Sequence, residues 1–180
     1  IGIPTAFNLH GPLTNPGKAS AGLVGCADRT MAPVLAEVFA ARGNSAVVVS
    51  GDDGMDEITT TCPTSVWVTR NGTVEQERID PTALGIPLSD PESLLGDDAE
   101  VNAEVVRRLL AGERGPVRDA VLINVAGALA AYDGPAADLS TQLREGIERA
   151  EAAIDSGAAG NLLEKWAARS RELKAATGRA

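Results

Sequence analysis

The chain is poor in the residues that most often carry chemistry: 180 residues include one histidine, two cysteines and 3% aromatic side chains. No Ser-His-Asp relay can be built around the sole histidine, His10, and a lone His is more often a surface or hydrogen-bonded residue than a base. Cys26 and Cys62 lack a neighbouring His or a second Cys at metal-ligand spacing, which removes zinc and cysteine-nucleophile chemistry. Two thiols in so cysteine-poor a chain are expected to stay reduced and buried rather than paired. Neither G-x-G-x-x-G nor G-x-x-x-x-G-K-[ST] occurs, so the sequence shows no recognisable phosphate cradle of its own. Positive charge is also scarce, with 16 Lys and Arg against 25 Asp and Glu, a formal charge of −9. That balance argues against nucleic-acid or anionic-membrane partners, whose phosphates need a basic stripe. No apolar run approaches the ~20 residues of a membrane span, and no basic, apolar, small-residue signal opens the sequence. The expected compartment is the cytoplasm.

What is present is an α/β pattern. At 44% hydrophobic residues the chain can bury an ordinary core, and residues 1–180 read as a single domain. The sequence begins at Ile1 in what reads as an apolar segment already under way, so this domain is expected to be the carboxyl-terminal part of a longer protein. Residues 11–17, GPLTNPG, read as a rigid loop set by two prolines and flanking glycines. A short strand is expected over 21–26. Met31, Val34, Leu35, Val38 and Phe39 then form one stripe of a helix that starts near Asp28 or Thr30 and stops at Gly43. The run Ala46-Val47-Val48-Val49 has the signature of a strand covered on both faces. Strand, helix, strand favours parallel pairing, and the expected fold is a largely parallel sheet flanked by helices.

A hairpin is expected next: 65–69 alternates apolar and polar residues, Asn71-Gly72 suits a type I′ turn, and the chain returns over 73–79. Residues 80–96 read as an irregular surface connection. The remaining half reads as helical. Asp97 and Glu100 suggest a capping box, Pro116 opens a helix that is apolar on nearly every side, and Leu139, Leu143, Ile147, Ala150 and Ile154 mark one face of another. Leu162, Leu163 and Trp166 suggest a last helix. Trp67 and Trp166 are expected in the core, and Asn124 as a satisfied buried amide.

The loop after the valine strand, Ser50-Gly51-Asp52-Asp53-Gly54-Met55-Asp56-Glu57, is where an open α/β sheet places ligands. Its four carboxylates repel one another unless a cation shares them, and magnesium, which takes one or two carboxylates plus substrate phosphates, is a suitable guest. An acidic, solvated turn with Asp52 or Asp53 capping a backbone N–H fits the same residues. An EF-hand does not, because aligning Gly54 puts Val49, Gly51 and Asp53 at the first ligand positions. A receiver-type phosphorylation site fails as well: Lys18, Lys165 and Lys174 are the only lysines, and none follows a central strand.

Two motifs carry a resemblance. Ala6-Phe7-Asn8-Leu9-His10-Gly11-Pro12-Leu13-Thr14-Asn15-Pro16 resembles the F-N-x-x-G-P-L-x-N-P segment of anthranilate phosphoribosyltransferases. Residues 48–57 resemble their V-V-H-G-x-D-G-x-D-E loop, and the similarity continues through residues 115–124. The resemblance implies a nucleoside phosphorylase/phosphoribosyltransferase-like α/β domain. It also implies transfer of the phosphoribosyl group from phosphoribosyl pyrophosphate to anthranilate, releasing pyrophosphate, in tryptophan biosynthesis. Asp56 and Glu57 would be the ligands of a Mg2+ cofactor, Asn8 and Gly11 candidates for substrate binding, and the full-length protein a homodimer. No catalytic side chain is assigned. The family's glycine-rich G-T-G-G-D phosphate loop, its K-H-G-N-R-A segment and its helical amino-terminal region have no counterpart here, so the fragment is expected to be inactive alone. Ser50 stands where the family's loop has His, and Pro4 and His10 also depart from its pattern. A pyrimidine-nucleoside phosphorylase-like enzyme shares the architecture, and a non-catalytic or regulatory relative is the alternative outside enzymes.

Overall fold

The computed structural model describes residues 11–177. Its sheet runs in the order β1 (Ala21–Gly25), β2 (Ser45–Gly51), β3 (Thr64–Arg70), β4 (Thr73–Ile79). Helix α1 (Ala32–Ala41) links β1 to β2, which pair in parallel with Leu23 opposite Val47. Pro33 falls in the first turn of α1, where a missing N–H costs nothing. Gly43, at φ 72°, takes the left-handed conformation just past its end.

The remaining two pairs, β2 with β3 and β3 with β4, are antiparallel, so the expectation of a largely parallel sheet is corrected to a mixed one. The β3–β4 pair is the expected hairpin: Asn71 and Gly72 adopt φ 51° and 79°, as a type I′ turn requires, and fold β4 straight back along β3. The unexpected reversal lies between β2 and β3, joined by residues 52–63, where the Asp52 N–H meets the Pro63 carbonyl at 3.0 Å. The alternation read in residues 65–69 also misleads. Residues Thr64 to Thr69 are all buried, because β3 is an interior strand with helices over both faces.

Val48 and Trp67 pack with Cys26 against Leu35 and Ala36 of α1. On the opposite face Val47, Val49, Val66 and Val68 pack against α3 (Pro116–Asp133) and α4 (Leu139–Asp155). Each fully buried valine contributes about 1.5–3 kcal/mol relative to exposure. The α3–α4 contact is close: a Cβ on Gly146 would lie 2.8 Å from the Ala126 Cα. Helix α2 (Ala99–Leu110) adds Leu109 to a third apolar cluster with Leu122, Ala150 and Ile154.

Four local expectations are corrected. Residues 11–13 are helical, so the loop at the amino end is shorter than read. The N-cap of α2 is Asp98, whose carboxylate accepts from the N–H groups of Glu100 and Val101; Asp97 stands one residue outside. Residues 80–96 contribute to the core through Pro81, Leu84 and Ile86, ordered by 3-10 turns that Asp80 and Asp90 cap. Trp67 is buried as expected, but Trp166 is 70% exposed on α5 (Ala158–Thr177), which has no buried residue among those described.

Candidate functional site

The valine strand delivers its acidic loop at the carboxyl end of β2, and short-range bonds fold that loop back on itself. Gly51 N–H donates to the Met55 carbonyl at 2.8 Å, and Gly54, at φ 92°, donates to the Gly51 carbonyl at 3.0 Å. Asp52 N–H reaches the Pro63 carbonyl at 3.0 Å, closing the base of the loop. A side chain on Gly51 would overlap the Asp53 carboxylate, so this strand end has room for glycine alone.

The structure divides the four carboxylates into two pairs. Asp52 is neutralised by the protein itself, with Arg29 Nη1 at 2.9 Å and Arg78 Nη2 at 2.5 Å. Arg78 arrives through strand register, since it pairs with Ser65, and the Ser65 hydroxyl lies 3.4 Å from the same carboxylate. Asp53 is held by hydroxyl and amide donors: Thr59 Oγ1 at 2.7 Å, Thr61 Oγ1, and Met55 N–H at 3.1 Å. Burial alone would raise its pKa, but the bonds from Thr61, Thr59 and Met55 together hold it below the ordinary carboxylate value.

Asp56 and Glu57 have no cationic partner among the described residues. Burial, the Asp56 charge and a hydrogen bond with Asp56 push Glu57 above the ordinary value for a glutamic acid. No group of three or more His, Cys, Asp or Glu side chains gathers at metal-binding spacing among the described residues. A cation held here would therefore take two adjacent carboxylates from the protein and fill its other positions with water or a ligand. That donor set suits magnesium, which keeps several waters and shares substrate phosphates.

The backbone beneath this pair is tightly seated. A Cβ on Gly25, the last residue of β1, would overlap the Asp56 carbonyl oxygen. Ile58 N–H donates to Asn124 Oδ1 at 3.0 Å, while Asn124 Nδ2 donates to the Ile58 carbonyl at 2.8 Å and to the Ala120 carbonyl at 2.9 Å. The amide expected to be satisfied is so, although Asn124 is half-buried rather than buried, and nothing in the residues indicates which backbone it serves, 66 residues away. Arg29 and Arg78 were likewise not singled out; only the hairpin register points to Arg78.

Among the other candidates, Gly11 is exposed, with nothing among the described residues close to where a side chain would be, while Asn8, His10 and Pro4 lie outside the described residues. The chain that follows Gly11 borders a cavity of about 280 Å³, lined by Pro12 and Asn15, by all of β1 and by Phe39. Ser50 is 1% exposed, and its hydroxyl has no hydrogen-bond partner among the described residues. Both cysteines are free thiols, Cys26 buried and Cys62 half-buried, and burial pushes the Cys26 thiol pKa up.

Residues 1–160 match the family described as "Glycosyl transferase family, a/b domain". The chain is 66% identical over 173 residues to the anthranilate phosphoribosyltransferase of Saccharopolyspora erythraea, covering 96% of this chain and 49% of that protein. Among solved structures, the Thermus thermophilus anthranilate phosphoribosyltransferase superposes with a TM-score of 0.79 at 34% identity, covering 93% of this chain and 48% of that one. The Saccharomyces cerevisiae enzyme in complex with PRPP and Mg gives a TM-score of 0.75 at 27% identity, over 91% of this chain and 45% of that one. The chain spans about half the length of the curated relatives it matches.

Proposed function

The chain belongs to the glycosyl transferase family through its a/b domain, and from that premise we propose that it is the carboxyl-terminal part of an anthranilate phosphoribosyltransferase. The reaction moves the phosphoribosyl group of phosphoribosyl pyrophosphate onto the amine of anthranilate, giving N-(5-phosphoribosyl)anthranilate and pyrophosphate for tryptophan biosynthesis. In balanced form, the bond from the ribose C1 to pyrophosphate breaks, a bond from C1 to the amine nitrogen forms, and the amine loses a proton.

The observation that carries this reading is the division of the acidic loop. Arg29, Arg78, Thr59 and Thr61 already satisfy Asp52 and Asp53, so Asp56 and Glu57 are the carboxylates that remain for a cation. They would hold Mg2+, which when bound neutralises charge that builds on the departing pyrophosphate. The protein's own task is positioning: no side-chain nucleophile is needed for this displacement, and none is arranged at the loop. Asn8 and Gly11 belong to the substrate-binding side of the proposal, and a cytoplasmic homodimer at full length completes it. The likeness to relatives of known name, one of them solved with PRPP and Mg, supports the same reaction.

Calorimetric titration of phosphoribosyl pyrophosphate into the protein at its relatives' full length tests the reading. Binding is expected to require Mg2+ and to weaken about tenfold or more in the Asp56→Asn, Glu57→Gln double variant. Magnesium-independent binding that the double variant leaves unchanged would refute it.

A further inference from the structure

Asn124 is the polar exception among residues 120–131 of α3, otherwise Val, Leu, Ile, Ala and Gly, and its amide is committed to Ile58, the residue that follows the acidic loop. Its oxygen takes the Ile58 N–H and its nitrogen gives to the Ile58 carbonyl, so both polar groups of a single backbone unit are clamped by one side chain. A backbone N–H can only donate and a carbonyl can only accept, which fixes the amide orientation without ambiguity. The second Nδ2 hydrogen goes to the Ala120 carbonyl one turn earlier in α3, locking the side chain onto its own helix.

Two further contacts hold the same short segment. The Ile58 side chain is 1% exposed and fits over Gly127, where a Cβ would come within 2.7 Å of its Cδ1. On the other side the Asp56 carbonyl sits directly over Gly25. Residues 56–58 are thus gripped between the end of β1 and the face of α3. The carboxylates of Asp56 and Glu57 project from backbone held on both sides.

We propose that Asn124 is a positioning residue for the Asp56–Glu57 pair: by clamping Ile58 it fixes the backbone from which the two carboxylates are presented to a divalent cation. This rests on the reading of that pair as the cation site. Ligands whose supports are removed lose affinity while their own chemistry is intact, typically by about 10–100-fold.

The test uses Mn2+ as probe, with free ion followed by electron paramagnetic resonance and Ile58 amide protection followed by hydrogen exchange. Asn124→Leu keeps the bulk and removes the clamp. It is expected to weaken Mn2+ binding about tenfold or more and to accelerate exchange at Ile58, leaving β2 and β3 protected as before. Asn124→Asp keeps an acceptor for the Ile58 N–H and removes the donor to its carbonyl. It gives a smaller loss of the same kind and decides the matter if the leucine variant does not fold. Wild-type Mn2+ affinity in the Asn124 variants, with binding lost in Asp56→Asn, Glu57→Gln, overturns the positioning role alone. Weakened binding accompanied by faster exchange throughout β2 and β3 also overturns it, because the residue would then be serving the fold as a whole. Unchanged binding in the double carboxylate variant overturns the underlying site.

Discussion

The two halves of the acidic loop differ in who balances their charge. Asp52 and Asp53 are answered from within the protein, by guanidinium groups and threonine hydroxyls, and so serve the fold. Asp56 and Glu57 follow within a few residues, carry the same kind of charge and have no such answer among the described residues. An unbalanced pair kept next to a balanced one costs stability that a cation can return, a common pattern at sites that bind a charged ligand. The lesson is that acidity alone does not mark a site; the distribution of partners does.

Substitutions can break this contrast in order of size. The largest effect is expected at Asp53. Asp53→Ala removes the acceptor shared by the Thr59 and Thr61 hydroxyls and the Met55 N–H, leaving the buried Thr59 hydroxyl only Thr61, and urea unfolding should show a loss of about 1–3 kcal/mol. Sign and pH follow from its lowered pKa: the carboxylate's contribution is present above the ordinary Asp value and is lost as pH falls through its folded-state value. Asp52→Asn should cost less, below about 1 kcal/mol, and the difference should shrink with added salt, because Arg29 and Arg78 are half exposed.

Glu57→Gln should have the smallest effect and the opposite sign. Glu57 binds its proton more tightly in the folded state, so its ionisation costs stability as pH rises from the ordinary Glu value through the raised one. The glutamine variant should therefore unfold at the same or a slightly higher temperature at neutral pH, with the gap closing as the solution is acidified. A clear drop in Tm for Glu57→Gln at neutral pH would mean that the second half of the loop is structural too.

Much of this was legible in the residues, for reasons that are local. Asn71-Gly72 fixes the hairpin because few other pairs tolerate positive φ at both positions, and Pro116 marks the first turn of α3 because its φ and missing N–H suit only that place. Properties that depend on what lies opposite were not legible. Residues 65–69 alternate in polarity yet are buried on both faces, since Thr69 spends its hydroxyl on the backbone of Asn44 and Ala46. Trp166 has the composition of core but stands exposed on a helix that has no buried residue among those described and meets the apolar cluster near its start, through Ala159. Within the site, the Asp-Glu pair stood out through its resemblance to a family motif rather than through charge spacing, which also fitted a solvated turn. Its separation from Asp52 and Asp53 could not be read, because Arg29, Arg78 and Asn124 come from other elements and reach the loop only once the sheet and α3 are assembled.

The most direct measurement is a Mg2+ titration, in the presence of phosphoribosyl pyrophosphate, of the wild type, Asp52→Asn, and Asp56→Asn with Glu57→Gln. The account predicts that Asp52→Asn stays within about twofold of the wild type while the double variant loses about tenfold or more. Loss of Mg2+ in Asp52→Asn with retention in the double variant would contradict it.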